Sequence, residues 1–158
     1  MIKQIHIFDL DGTLVDSSHR YRTIYNGDKL TIDFPHWLEN CKYFYKDSAL
    51  PLAKDYKEML SNPEIYTVWC TARAEPQVKE SYDFLKNLLG LPNKFFYRPA
   101  GNIESGSILK SKQLKSFFSL NQFIDLPKFF YEDNKDYLAT VCKAINATPI
   151  YIKSNQGH

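Results

Sequence analysis

Cysteine is scarce in this chain: three residues in 158, Cys41, Cys70 and Cys142. The number is odd and the spacings fit no zinc pattern, which speaks against a disulfide framework and a cysteine-built metal site. Charge of one sign is also missing. Twenty Lys and Arg stand against eighteen Asp and Glu, a net +2, so the sequence carries no global electrostatic footprint for nucleic acid. No stretch approaches the ~18 apolar residues needed to span a bilayer. Met1-Ile2-Lys3-Gln4-Ile5-His6 runs into a strand pattern without the apolar core of a signal peptide. Repeats and low-complexity tracts are absent too. These absences point to a soluble, reduced, cytoplasmic protein with no membrane association and no evident obligate protein partner.

The composition is that of a globular domain, 44% hydrophobic and 24% charged. At this length one domain is expected over residues 1–158. Short apolar runs alternate with helical periods, which predicts an α/β fold: a Rossmann-like three-layer sandwich around a five-stranded parallel sheet. The predicted strands are Ile5 to Phe8, 66–70, 95–97, 129–131 and 150–152. Leu52, Tyr56, Met59 and Leu60 share one helical face, as do Val78, Tyr82, Leu85 and Leu89, with Gly90 as a stop. Leu138, Val141, Cys142 and Ile145 mark a last helix. Residues 14–50 break the alternation. Asn26-Gly27 signals a turn, and Trp37, Leu38, Cys41, Phe44 and Tyr45 predict an amphipathic helix. This stretch is expected to be a small flap and helix over the site.

Polar residues cluster where the apolar runs end, and in open α/β sheets ligands bind at the carboxyl ends of strands. The first such end is Phe8-Asp9-Leu10-Asp11-Gly12-Thr13. Phosphate monoesters hydrolyse very slowly unaided, so an enzyme must neutralise charge and position a nucleophile. A carboxylate such as Asp9, ionised at neutral pH, can be that nucleophile and form an aspartyl-phosphate. A cation must then offset the repulsion of two anions. Magnesium takes one or two carboxylates plus phosphate and water, which Asp9 and Asp133 can supply. Asp11 can protonate the leaving oxygen and later deprotonate water. Gly12 lets the backbone turn towards a phosphate, and Thr13 adds a hydroxyl or amide. Taken alone, Asp-x-Asp-Gly also fits a solvated turn or a calcium loop. The calcium loop fails, because Arg20 occupies the position that would need Glu.

The remaining strand ends add to this set. Thr71 offers a hydroxyl to phosphate or an N-cap to the following helix. Arg73 is equally readable as a bidentate phosphate ligand or as a surface residue. A Cys-x5-Arg mechanism from Cys70 is rejected, since Pro76 stands where Arg is required. Lys110 shares a helical face with Leu114, Phe117 and Phe118 near a helix start at Ser107, whereas Lys112 aligns with solvated residues. Gly101 to Ser107 spaces two glycines like a P-loop but lacks its Lys. Glu132-Asp133 ends the fourth run; its alternative role is an acidic helix cap. Asp136 is expected to be helix-start charge.

Asp9-Leu10-Asp11-Gly12-Thr13-Leu14-Val15-Asp16-Ser17 resembles the first motif of the haloacid dehalogenase-like (HAD) phosphohydrolase superfamily. The resemblance runs from Ile5 to Ile152 and implies Asp9 as nucleophile and Asp11 as general acid/base. It also implies Lys110 as the third-motif lysine and Thr71 as a phosphate contact. Magnesium would be held by Asp9, the backbone carbonyl of Asp11 and Asp133, with Glu132 in an outer shell. Asp at position 11 favours the phosphatase and phosphotransferase branches. Thr71-Ala72-Arg73, Tyr97-Arg98-Pro99 and Ile108-Leu109-Lys110 are similar to the phosphatase domain of bacteriophage polynucleotide kinase-phosphatases, which implies functional roles for Arg73 and Arg98. Ala72, for the usual Gly, and Glu132, for the usual Asp, depart from that pattern. The implied substrate is a 3′-phosphate end of nucleic acid or a nucleotide. Tyr21, Tyr25 and Trp37 are candidates to stack a base, and Arg20 and Arg22 to meet phosphates, although flap packing is the readier role for the aromatics. A small-molecule phosphatase or nucleotidase is the rival enzyme reading. A non-catalytic binding module is the rival outside enzymes.

Overall fold

The computed structural model describes residues 1–154. Its frame is a five-stranded, all-parallel sheet: β1 (Gln4–Phe8), β6 (Ile65–Ala74), β7 (Lys94–Arg98), β8 (Lys128–Glu132) and β9 (Thr148–Tyr151), in the order β7-β6-β1-β8-β9. These are the five runs expected from the sequence. Helices α2 (Leu52–Leu60), α3 (Glu75–Leu89), α4 (Gly106–Phe118) and α5 (Lys135–Ile145) fill the connections. The chain is therefore a Rossmann-like α/β protein.

Strand alternation divides the core between the two faces. Ile5, Ile7, Val68, Cys70 and Phe130 pack with α4 and α5 through Leu114, Phe118, Leu138 and Val141. Phe8, Trp69 and Tyr131 pack with α2 and α3 through Tyr56, Leu85 and Leu89. Each such side chain contributes about 1.5–3 kcal/mol on burial, so both faces hold the sheet rigid. Tyr82, placed by periodicity on the buried face of α3, is 40% exposed.

Residues 14–50 leave the sheet. They form the short pair β2 (Val15–Asp16) and β5 (Ser48–Ala49), and the hairpin β3 (Thr23–Asn26) and β4 (Lys29–Ile32). The hairpin turns at Gly27, whose φ of +63° suits glycine at the first central position of a two-residue turn. One amphipathic helix was expected over Trp37 to Tyr45. The chain instead makes α1 (Phe34–Asn40) and then a 3-10 stretch, Cys41–Lys46, broken by non-helical geometry at Tyr43. Only Trp37 and Cys41 of the predicted face are buried; Leu38 and Tyr45 are exposed. The break carries the chain back to β5 beside β2. Among the described residues no helix is long and apolar enough to cross a membrane.

Candidate active site

The order of the sheet reverses at β1, where later strands β6 and β8 flank it on opposite sides. Such switch points open a crevice at the strands' carboxyl ends. Phe8 lies level with both Trp69 and Tyr131, so the next residue, Asp9, emerges beside the end of β8. The amide of Asp9 still donates to the Tyr131 carbonyl at 3.0 Å. Beyond it the chain doubles back: the amides of Thr13, Leu14 and Val15 all point to the Leu10 carbonyl, and that of Gly12 to Val15. Gly12 has φ +80°, and a Cβ there would meet Asp133 Oδ2 at 2.1 Å. The glycine is required by conformation and by the close approach of Asp133.

The first charge cluster forms around Lys110, one turn into α4 and 1% exposed. Its Nζ donates to Asp9 Oδ1 at 2.8 Å and to Glu132 Oε2 at 2.7 Å. Helix α4 starts at Gly106 under a Ser105 cap, one residue before the expected Ser107. Lys112 lies outside, paired with Glu104. The amides of Asp133 and Asn134 donate to Glu132 Oε1, so Glu132 is engaged at both oxygens. Asp133 accepts from Ser154 Oγ at 2.6 Å. The cap of α5, the alternative role for Glu132-Asp133, is supplied instead by Asn134, whose side chain accepts from the amides of Asp136 and Tyr137. Asp136 sits in that first turn, as expected of helix-start charge.

Burial pushes the Asp9 carboxyl up to about 7; the Glu132 charge adds to the rise, and Lys110 opposes it. Full ionisation of Asp9 at neutral pH, expected from the sequence, therefore needs more positive charge than Lys110 provides. Burial also pushes Glu132 up. For Lys110, burial favours loss of the proton, but Asp9 and Glu132 outweigh it and hold the ammonium firmly charged.

A second cluster surrounds Asp11. Arg73 grips it with a two-point fork, Nε to Oδ2 at 2.8 Å and Nη2 to Oδ1 at 2.6 Å. Ser17 Oγ adds a third donor at 2.7 Å. Burial alone would raise Asp11, but Arg73, helped by Arg20 and Ser17, holds it well below the usual carboxylate range. Arg73 reaches this position because β6 runs past the expected end at Thr71 as far as Ala74, with a register shift between Cys70 and Ala74. Thr71 is consequently inside the strand and does not cap α3. Ala74 occupies that position, and its amide donates to Gln77 Oε1. The Thr71 hydroxyl accepts from the Arg73 amide at 3.2 Å. Thr13 is fully buried, and its hydroxyl has no hydrogen-bond partner among the described residues.

A cavity of about 510 Å³ opens over both clusters, with Asp9, Asp11, Thr71, Arg73, Lys110 and Glu132 in its lining. The insertion contributes Tyr21, Ile32, Phe34, Trp37 and Leu38. Arg98 lies on the opposite side, where it donates to the carbonyls of Ala72, Asn102 and Glu104 and to Asn102 Oδ1. It thereby organises the loop that carries Ile103 into the cavity rim. Tyr25 stands exposed on the hairpin, outside this lining. Arg22 pairs with Asp33, the N-cap of α1. Trp37 is buried, with Tyr21 against its ring and the Arg20 guanidinium 4.3 Å from its centre. Sequence reasoning assigned no role to Ser17 or Asp47, because neither lies in a periodic run or at the end of a strand of the central sheet.

The bacteriophage T5 5′-deoxynucleotidase family matches residues 1–124 of this chain. The chain belongs to that family. The matched span includes Asp9, Asp11, Thr71, Arg73, Arg98 and Lys110 and stops before Glu132 and Asp133. Among solved structures, a chain of the Pnkp1/Rnl/Hen1 RNA repair complex superposes with a TM-score of 0.65 at 16% identity, over 96% of this chain and 43% of that one. The present chain thus spans less than half the length of that relative. The HAD domain of effector protein Lem4 from Legionella pneumophila gives 0.59 at 16% identity, over 98% and 88% of the two chains. CbbY from Rhodobacter sphaeroides, solved with phosphate, gives 0.56 at 12% identity, over 98% and 89%. At these identities the likeness establishes the fold. A comparison with curated protein sequences finds no match. Family and fold agree: the chain is a member of the T5 5′-deoxynucleotidase family with a HAD-type fold.

Proposed function

We propose that this chain hydrolyses deoxynucleoside 5′-monophosphates to deoxynucleoside and phosphate, with magnesium as cofactor and Asp9 as nucleophile. One observation carries the reading: Asp9 lies in the lining of a cavity of about 510 Å³, bonded to Lys110 and grouped with Glu132 and Asp133. That volume falls within the range for small-molecule sites. The family's own activity supports a mononucleotide over a polynucleotide end.

The donor set fits magnesium. Asp9, Glu132 and Asp133 each offer a carboxylate oxygen, all within 4.8 Å of one another and all buried. Three carboxylates face one ammonium, and a hard dication with oxygen preference would balance them. Asp9 and Asp133 would hold it, with the Asp11 carbonyl, while Glu132 keeps Lys110 in place. When bound, the ion would offset repulsion between the Asp9 carboxylate and the phosphate.

The chain's residues perform the rest. An Asp9 carboxylate oxygen bonds to phosphorus as the bond from phosphorus to O5′ breaks. Asp11, ionised in the free protein by its Arg73 fork, takes a proton from the monoanion of the substrate phosphate as that phosphate binds and passes it to O5′. Water then attacks the aspartyl-phosphate and gives a proton back to Asp11, which frees phosphate and restores Asp9. Lys110 pairs with charge on the phosphoryl oxygens. Residues 14–50 act as a cap whose aromatic side chains exclude water and receive the base.

Steady-state kinetics on deoxynucleoside 5′-monophosphates and on an oligonucleotide with a 3′-phosphate tests this. The expected result is a kcat/KM at least about tenfold higher for the mononucleotide, a preference of ~1.4 kcal/mol. The opposite preference would overturn the substrate reading and favour polynucleotide 3′-phosphatase activity. A lack of magnesium-dependent phosphate release from any phosphomonoester would overturn the enzyme reading.

A further inference from the structure

Asp47 is the one acidic residue of the two clusters to which the reaction above gives no role. It sits just before β5, with a side chain that is 0% exposed. It accepts from Arg20 through Nε at 3.0 Å and Nη2 at 2.6 Å, and His19 Nε2 lies 2.8 Å away. Arg73 Nη2 reaches it at 3.4 Å. Neither Asp47 nor Arg20 lines the cavity. A buried ion pair is weak ground for stability, because well-packed apolar residues commonly do as well. The geometry gives a better account. Arg20 Nη2 lies 2.6 Å from Asp47 and 3.8 Å from Asp11, while Arg73 Nη2 lies 2.6 Å from Asp11 and 3.4 Å from Asp47. Each guanidinium has a near carboxylate and a far one.

We propose that Asp47 is a positioning residue for proton transfer: it draws Arg20 away from Asp11 and fixes the plane of Arg73, so that Asp11 is gripped by one guanidinium in one orientation. Without the Asp47 charge, Arg20 turns to Asp11, and a second guanidinium competes with the leaving oxygen for the same carboxyl atom. The insertion thereby sets the geometry of the proton donor as well as enclosing the cavity. This inference rests on Asp11 as proton donor.

The Asp47→Asn variant keeps the shape and removes the charge. Two measurements on it separate positioning from general damage. With a deoxynucleoside 5′-monophosphate, whose alkoxide leaving group needs a proton, kcat should fall by about 30-fold or more, the scale of a small misplacement, with KM within about threefold. With p-nitrophenyl phosphate, whose leaving group departs without a proton, the pre-steady-state release of nitrophenolate should fall at least about tenfold less. Equal losses on both substrates, or an unchanged kcat for the nucleotide, would overturn the proposal. In the doubly neutral Arg20→Gln/Asp47→Asn no second guanidinium can turn to Asp11, so most of the lost kcat for the nucleotide should return. If Asp47→Asn does not fold, a double variant that still shows the full loss of about 30-fold overturns the proposal. Asp11→Asn is the control on the underlying reading. If it leaves nucleotide turnover intact, the role of Asp11 is wrong. If it stops turnover while Asp47→Asn does not, only the role of Asp47 is wrong.

Discussion

Asp9 and Glu132 share one lysine, with the Asp133 carboxylate grouped beside them, whereas Asp11 and Asp47 share two arginines. Both groups are buried, yet their charge accounts differ. The first holds three carboxylates and one ammonium; the second holds two carboxylates and two guanidiniums, with His19 at its edge. They also differ in origin. The first is assembled from the ends of β1 and β8 and the first turns of α4, elements pinned by the core on either side of the sheet. The second joins the far end of β6 to the insertion. A balanced cluster can persist by itself, because each charge has a partner at hydrogen-bond distance. An unbalanced one must take up a cation or a proton, and the rise of Asp9 to about 7 shows that pressure. One half of the site is therefore built to be completed, and the other to hold a carboxyl still.

The largest expected effect falls on the unbalanced half. Asp9→Asn removes the nucleophile and one excess negative charge together. Turnover of deoxynucleoside 5′-monophosphates should fall on the order of 10⁴-fold or more, while the thermal midpoint holds or rises. Retained turnover would refute Asp9 as nucleophile, and a large loss of stability would refute the claim of excess charge. Lys110→Met should act in the opposite sense on stability. It deletes the sole lysine among buried carboxylates, and breaking a buried pair costs about 3–5 kcal/mol. Denaturant unfolding checks this, and adding Asp9→Asn to Lys110→Met should restore part of the loss. A Lys110→Met protein as stable as the parent would show that Asp9 and Glu132 simply take up protons.

The two halves were also unequally legible in the sequence. Strand-end reasoning found Asp9, Glu132 and Asp133, because each directly follows or closes an apolar run, and helical phase separated Lys110 from Lys112. The sheet was readable for the same reason: Ile5 to Phe8, 129–131 and 150–152 leave little choice of period. Arg73 was found as a residue, but its engagement with Asp11 was not, because no local pattern shows that β6 continues through Thr71 to Ala74. Asp47 was missed altogether, and Ser17 was read only as the end of the first motif, without a role. Their partners lie across the fold, set by the break at Tyr43 and the β2–β5 pairing, which no periodicity encodes. The single amphipathic helix expected over Trp37 to Tyr45 failed there, because the chain breaks at Tyr43 and only Trp37 and Cys41 of the expected face are buried.

Metal addition gives an intermediate effect and separates the halves directly. Magnesium at about 100 times its dissociation constant should stabilise the folded chain by about 2.7 kcal/mol, read as a rise in thermal midpoint. Asp133→Asn should abolish most of that rise, since Asp133 belongs to the metal-facing group. Ser17→Ala, on the balanced side, should leave it intact. Chelation should stop nucleotide turnover, and magnesium should restore it. No shift in midpoint on adding magnesium would mean that the first cluster is completed by protons, and the cofactor assignment would fall.

The smallest effect tests what holds Asp11. Ser17 is wholly buried, and its hydroxyl donates to Asp11 Oδ1 at 2.7 Å. The Arg73 fork engages both oxygens of the same carboxylate. Deleting the hydroxyl in Ser17→Ala leaves that fork in place and so removes one donor among several. The cost should be about 1 kcal/mol, roughly fivefold in kcat, with KM and the magnesium-induced stabilisation unchanged. A loss near a hundredfold would mean that the hydroxyl, and not the paired guanidinium, orients the proton donor. The equality of charges around Asp11 and Asp47 would then be a matter of folding alone, and the contrast between the two clusters would lose its bearing on catalysis.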